Sequence, residues 1–252
     1  MRILAIANHK GGVGKTTLTR NLAGILAADG RRVLALDLDP QAALTTACGI
    51  DDPGQSIADV LDARPGAAAV AGILREVSPG LWLAPADISL SVVELTMQGR
   101  IGLETVLRRA LASLGPRFDL CLIDCPPGLG LLSVNALTAA AGVVIPTQAS
   151  GLDVRAVGLF LDTVRQLQEE LNPGLQTLGL VLTFYDPRTR HAQDARAALE
   201  DAGLPILGTI GRTVKLAEAM TAGLGLAEHD PGNGQNGNLR SIANEVTRWL
   251  TA

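Results

Sequence analysis

The chain is 252 residues long, carries a formal net charge of −4, and is 47% hydrophobic and 18% charged. That balance argues against global disorder and suits one large α/β domain. Pro126, Pro127 and Pro146 interrupt the longest uncharged stretch, so it is no membrane span, and no basic–apolar–cleavage pattern opens the chain. Three cysteines (Cys48, Cys121 and Cys125) without a CxxC pair fit neither a disulfide framework nor a zinc ribbon, and six aromatics argue against a base-stacking surface.

In chain order, the apolar run 3–7 reads as a buried strand ending in a Gly-rich turn. Helical spacing follows over 16–28, with Gly30 as its C′ residue. A second buried strand, 33–36, runs into Asp37-Leu38-Asp39-Pro40. Strand-like runs recur at 81–84, 120–123, 143–146, 177–182 and 205–210. Helical stretches separate them at 89–96, 101–114, 131–141, 154–171, 192–202 and 214–222, and a last helix is expected at 239–250. Continuous apolar strands alternating with helices predict a doubly wound, mostly parallel α/β sheet flanked by helices. No internal repeat is visible. Residues 51–55 and 229–238, the latter rich in Gly and Asn, are expected to be mobile, and 1–252 is read as a single domain.

The segment Lys10-Gly11-Gly12-Val13-Gly14-Lys15-Thr16-Thr17 lies between the first strand and the first helix. Glycines there let successive N–H groups turn inward around phosphate oxygens, and the helix N-terminus adds its positive dipole end. Lys15 would reach the β- and γ-phosphates, and the Thr16 hydroxyl would ligate Mg²⁺. The general P-loop pattern wants Gly where this chain has His9, and a second lysine, Lys10, stands inside the loop instead. Acids at strand ends complete such a site. Leu120-Cys121-Leu122-Ile123-Asp124 is an apolar strand ending in an acid, which would hold Mg²⁺ through water. Asp37 and Asp39, two residues apart, share one side of their strand end.

With Lys10 in the loop, this is a deviant Walker A motif, and the sequence resembles the ParA/MinD class of P-loop ATPases. The resemblance runs from Arg2 to about Leu226, with Asn8, Pro40-Gln41, Gly49 and Asn135-Ala136-Leu137-Thr138 also in register. It is closest to the small ParA or Soj partition ATPases; the N-terminal helix-turn-helix region of the large plasmid ParA proteins is expected to be absent, so operator reading is not expected. The resemblance implies ATP and Mg²⁺ as cofactors and a homodimer formed on ATP, in which Lys10 crosses to the partner's nucleotide. It assigns the hydrolytic role to Asp39 and support of the metal-water shell to Asp37. It also implies slow hydrolysis stimulated by a ParB-like partner and DNA, and cytoplasmic, nucleoid-associated segregation of a chromosome, plasmid or other cargo.

In the small members of the class, dimerisation creates a non-specific double-stranded DNA face near the C-terminal strands. The segment 183–190 looks like the family's Asp-x-Arg-Thr loop and puts Arg188, with Arg190 beside it, on that face. Segment 210–219 looks like its Ile-Pro-Arg-Asn-Val-Arg run, with Lys215 at the basic position. By the same analogy, Tyr185 and Gly211 border the adenine. The sequence departs from the family at His9, at Ala42-Ala43-Leu44, across 150–155, at Gly211 and across 232–236. Two other readings stay open. A MinD-like membrane switch would need a basic amphipathic tail, whereas 238–252 reads as a packed helix. A metal-cluster or metabolic ATP-dependent enzyme of the same superfamily would need paired cysteines or a metabolite site.

Overall fold

The computed structural model describes residues 1–62, 69–99, 101–201 and 203–252. Strands β1 (Arg2–Ile6), β2 (Val33–Asp37), β3 (Arg75–Ser78), β4 (Leu81–Ala84), β5 (Leu120–Asp124), β6 (Gly142–Gln148), β7 (Gln176–Thr183) and β8 (Ile206–Ile210) form one sheet. Their order is β3-β4-β2-β5-β1-β6-β7-β8. Only the β3–β4 pair is antiparallel among the described pairs. The helices are α1 (Lys15–Ala28), α2 (Ala43–Ala47), α3 (Ile57–Asp62), α4 (Val70–Ile73), α5 (Leu90–Met97) and α6 (Val106–Ala112). After them come α7 (Leu131–Ala139), α8 (Gly151–Glu170), α9 (Arg190–Asp201), α10 (Val214–Thr221), α11 (Leu226–His229) and α12 (Gln235–Thr251).

Helices cover both faces, which is why the central strands read as continuous apolar runs: every residue of β2 and β5 is buried. Alternation along β5 sends Cys121 and Ile123 to one layer and Leu120 and Leu122 to the other. The first layer is filled by Met97 of α5, Leu111 of α6, Leu137 of α7 and Phe160 of α8. The second is filled by Leu18, Leu22 and Leu26 of α1 and by Leu239, Ile242 and Val246 of α12. Pro146 is tolerated in an interior strand because β1 stops pairing with β6 at Val144. Beyond that point the chain leaves β1 as a loop, and the carbonyl of Pro146 accepts from Asn8 Nδ2 at 2.7 Å.

Several expectations need correction. Segment 75–78 forms an edge strand whose charged, half-exposed residues gave no strand pattern; such charges suit an unpaired edge. The helix expected over 101–114 is interrupted: a tight turn at Leu103–Thr105 follows Gly102, at φ +69°, before α6 begins. Segment 229–238 is not one loop, because α12 starts at Gln235, four residues early. Asn233 Oδ1 accepts from Gln235 N at 3.0 Å, and Asn236 Nδ2 donates to the Asp230 carbonyl at 2.8 Å, so the Asn side chains order the turn. The 51–55 loop carries its own turn, with Gly54 N donating to Asp52 Oδ1. Ala202, the expected end of the 192–202 helix, lies outside the described residues. Among the described residues, no helix is long and apolar enough to cross a membrane.

Candidate functional site

β1 lies between β5 and β6, so the chain leaving it must arch over the C-terminal edge of the sheet to reach α1. Three neighbours fix that arch. Asn8 Oδ1 accepts from Lys10 N at 3.0 Å, the His9 carbonyl accepts from Gly128 N at 2.9 Å, and Thr183 Oγ1 donates to the Val13 carbonyl at 2.8 Å. Gly14 then turns into α1 at φ +86°, a left-handed conformation that favours glycine. The first-turn amides of a helix have no partner within it, so the start of α1 behind the loop offers the free N–H groups that an anion cradle requires.

The two lysines of the loop do different things. Lys15 is buried, and its Nζ donates to the Lys10 carbonyl at 3.0 Å. Burial lowers its pKa, against the attraction of Asp124. Lys10 turns out of the loop: its side chain is 43% exposed and its Nζ meets Asp153 Oδ1 at 2.7 Å. Asp153, at the start of α8, is almost wholly buried and also accepts from the Ser150 hydroxyl.

Parallel pairing sets Asp37 opposite Asp124 at the ends of β2 and β5. Thr45 donates to Asp37 Oδ2 through both N and Oγ1 at 2.8 Å, and Asp39 N donates to Oδ1 at 3.1 Å. Burial outweighs these bonds and pushes the Asp37 pKa up to about 6. Asp124 accepts from Thr16 Oγ1 at 2.7 Å and Thr19 Oγ1 at 3.3 Å. Burial, then repulsion from Asp37, holds its carboxyl well above the ordinary range. A cation placed between the P-loop and these strand ends would relieve both acids. The Thr16 hydroxyl and the carboxylates of Asp37 and Asp124 are hard oxygen donors that suit Mg²⁺. Among the described residues, no group of three or more acids, cysteines or histidines is placed to hold a metal ion.

Asp39 joins Gly11, Gly12, Lys15, Thr16 and Phe184 around an open cavity of about 290 Å³. A second, more apolar cleft of about 230 Å³ shares Gly14, Thr17 and Phe184 with it, and is closed by Ile210, Gly211, Leu216 and Ala217. Phosphate-sized and base-sized spaces thus adjoin.

Of the two residues expected beside the adenine, Gly211 lines the second cleft and Tyr185 does not. Phe184, at φ +52°, turns toward the clefts, while Tyr185 packs on the opposite hydrophobic layer with the Arg196 guanidinium 6.0 Å from its ring. Strand alternation separates the two side chains. Arg188 and Arg190 follow β7 and Lys215 follows β8, so these cations leave adjacent strands at one end of the sheet. Arg188 is paired with Asp186 through two nitrogens at 2.9 Å, and Lys215 with Glu218 at 2.7 Å. The sequence did not point to Asp153, Thr45, Phe184 or Gln235. Ser150-x-x-Asp153 reads locally as a helix cap, which hides the partner of Lys10. Gln235 Oε1 accepts from Gly211 N at 2.7 Å across 24 residues, and no local pattern encodes such a contact.

The strand–loop–helix cradle, the loop lysine and the strand-end acids define a P-loop nucleotide hydrolase with a doubly wound sheet. Comparison with known proteins narrows this. A family model described as an AAA domain matches residues 1–177. The chain is 40% identical to the chromosome-partitioning ATPase Soj of Thermus thermophilus, over 98% of this chain and 95% of that one. A Mycobacterium smegmatis structure, named cobyrinic acid a,c-diamide synthase and solved with an ATP analogue and magnesium, is 38% identical with a TM-score of 0.85, covering 100% of this chain and 96% of that one. The Pyrococcus furiosus cell division ATPase MinD is 28% identical with a TM-score of 0.81, covering 98% and 99%. The chain belongs to the Soj/ParA family of P-loop ATPases.

Proposed function

We propose that the chain is an ATP-driven positioning switch: it binds ATP·Mg²⁺, dimerises, and holds double-stranded DNA without reading its sequence. The observation that carries this reading is the direction of Lys10. A loop lysine that served its own nucleotide would point inward, as Lys15 does; Lys10 instead projects to the rim of its own loop, where a second copy could receive it. Lys15 and the α1 amides hold the phosphates, Thr16 and Asp124 hold the metal, and Asp37 supports its water shell. Mg²⁺, when bound, neutralises charge developing on the transferred phosphoryl group. Asp39, on the open lip of the cavity, orients the attacking water. Hydrolysis is slow until closure fixes that geometry. Arg188, Arg190 and Lys215 make phosphate contacts once two copies set their patches side by side. A ParB-like partner stimulates turnover and releases the dimer from the nucleoid.

Lys15→Gln is expected to abolish ATP binding in a titration, whereas Lys10→Ala keeps ATP binding but stays monomeric by light scattering. Dimerisation of Lys10→Ala would remove the role assigned to that lysine.

The name of the M. smegmatis relative favours a second reading, ATP-dependent amide synthesis. Release of nitrogen from glutamine needs a nucleophilic thiolate. Here all three cysteines are buried; burial pushes the Cys48 pKa up to about 12 and those of Cys121 and Cys125 higher still. Buried thiols disfavour only a form of that reading in which this chain itself releases nitrogen from glutamine; amide synthesis from free ammonia needs no thiolate. ATP turnover accelerated by a corrinoid and glutamine, and indifferent to DNA, would reinstate that form.

A further inference from the structure

Arg20 is a large charged side chain placed inside the second hydrophobic layer, 1% exposed, on the helix that begins at the phosphate loop. Its guanidinium reaches three separate segments. Nε donates to the Ala47 carbonyl at 3.1 Å, at the end of α2. Nη2 donates to the Gly223 carbonyl at 3.1 Å, just after α10, and to Glu228 Oε2 of α11 at 2.8 Å. Nη1 is buried with no hydrogen-bond partner. Glu228 Oε2 also accepts from Gly225 N at 2.6 Å, and Asn21 Oδ1 accepts from Leu226 N at 2.7 Å. The turns so gathered touch backbone to backbone: Gly223 is at φ +74°, and a Cβ there would lie 2.9 Å from Gly49 Cα.

A buried, incompletely satisfied guanidinium is a poor stabiliser, since an apolar side chain of similar volume often serves as well. What Arg20 fixes is geometry. α2 carries Thr45, whose two hydrogen bonds hold Asp37, and α2 follows the loop bearing Asp39. α10 contributes Leu216 and Ala217 to the apolar cleft and carries Lys215 on its exposed side. We propose that Arg20 is a positioning residue that locks α2, whose Thr45 holds Asp37, and the cleft-lining α10 to the phosphate-loop helix, so that nucleotide occupancy is transmitted to both. This inference rests on ATP turnover at the loop, and on the DNA reading only for its last readout.

The test compares wild type, Arg20→Met and Glu228→Gln. Arg20→Met is expected to bind ATP within about threefold of wild type and to turn over about tenfold more slowly, a loss in kcat and not in KM. ATP should protect residues 43–47 and 214–221 from amide hydrogen exchange in wild type, and no longer protect both in Arg20→Met. Acceleration of turnover by DNA should fall in parallel. Glu228→Gln, altered at a partly exposed position, should show the same change to a smaller degree, and decides the matter if Arg20→Met does not fold. Unchanged kcat with both segments still protected by ATP in the folded variants would overturn the proposal. Wild type whose turnover ignores DNA would count against the DNA reading alone, because the exchange measurement does not involve DNA.

Discussion

Asp37 and Asp124 face each other at the floor of the site, buried and without an ordinary counterion beyond Lys15. For Asp37 the folded pKa of about 6 lies above the unfolded value near 3.8. The folded state therefore holds a proton that the unfolded state has lost. The contribution of Asp37 to stability is greater below pH 4 than above pH 6, and falls as pH rises between those values. Over the whole range this amounts to about 3 kcal/mol. Chemical denaturation of the ligand-free protein at pH 5 and pH 7.5, compared with the same measurement on Asp37→Asn, should show a component lost in the variant. An equal pH dependence in the two proteins would contradict the burial cost assigned to Asp37. The Lys10–Asp153 pair makes a second prediction at this scale. If Lys10 must leave its own Asp153 to reach a partner, Asp153→Asn should raise the dimer fraction at fixed ATP by several-fold, about 1 kcal/mol. No rise, measured by analytical ultracentrifugation, would mean that the ion pair does not compete with dimerisation.

At the scale of elements, what could be read from the sequence followed how local each signal is. β1, β2, β4 and β5 are legible because both faces are covered, so burial writes itself as an unbroken apolar run. The phosphate loop is legible because backbone geometry demands glycines at fixed offsets. β3 was not legible: an edge strand has no need of an apolar pattern, and Arg75 and Glu76 conceal it. The true start of α12 was hidden by a Gly/Asn composition that usually marks loops; here Asn233 and Asn236 order the turn. Tyr185 was expected beside the base by resemblance, but Phe184, its neighbour at φ +52°, is the residue that lines the clefts, and which of two adjacent side chains does so is not legible in a local pattern. α12 itself joins the sequence to the site. It covers the second layer with Leu239, Ile242 and Val246, and its first residue, Gln235, holds Gly211. Ile242→Ala is expected to cost about 2–4 kcal/mol in urea unfolding. Gln235→Ala should leave that stability nearly unchanged but weaken ATP binding more than pyrophosphate binding, because it loosens the base-sized cleft alone. Equal loss for both ligands would contradict that division.

At the scale of the whole molecule, a net charge of −4 opposes DNA binding, and the proposed patch of Arg188, Arg190 and Lys215 would have to act against it. Two of those cations are already matched by Asp186 and Glu218 within the chain. Such exposed pairs are weak and exchange readily for phosphate. On the proposed reading one copy offers a modest patch and two copies held by nucleotide would double it, which would link DNA affinity to the state of the loop. The direct test is DNA binding measured against salt concentration with ATP, with ADP and without nucleotide, using random-sequence duplexes. The account predicts binding with ATP only, a steep fall in affinity as salt rises, and loss of binding in Lys215→Glu while dimerisation persists. Affinity that is the same in all three nucleotide states, or absent with ATP at low salt, would contradict it.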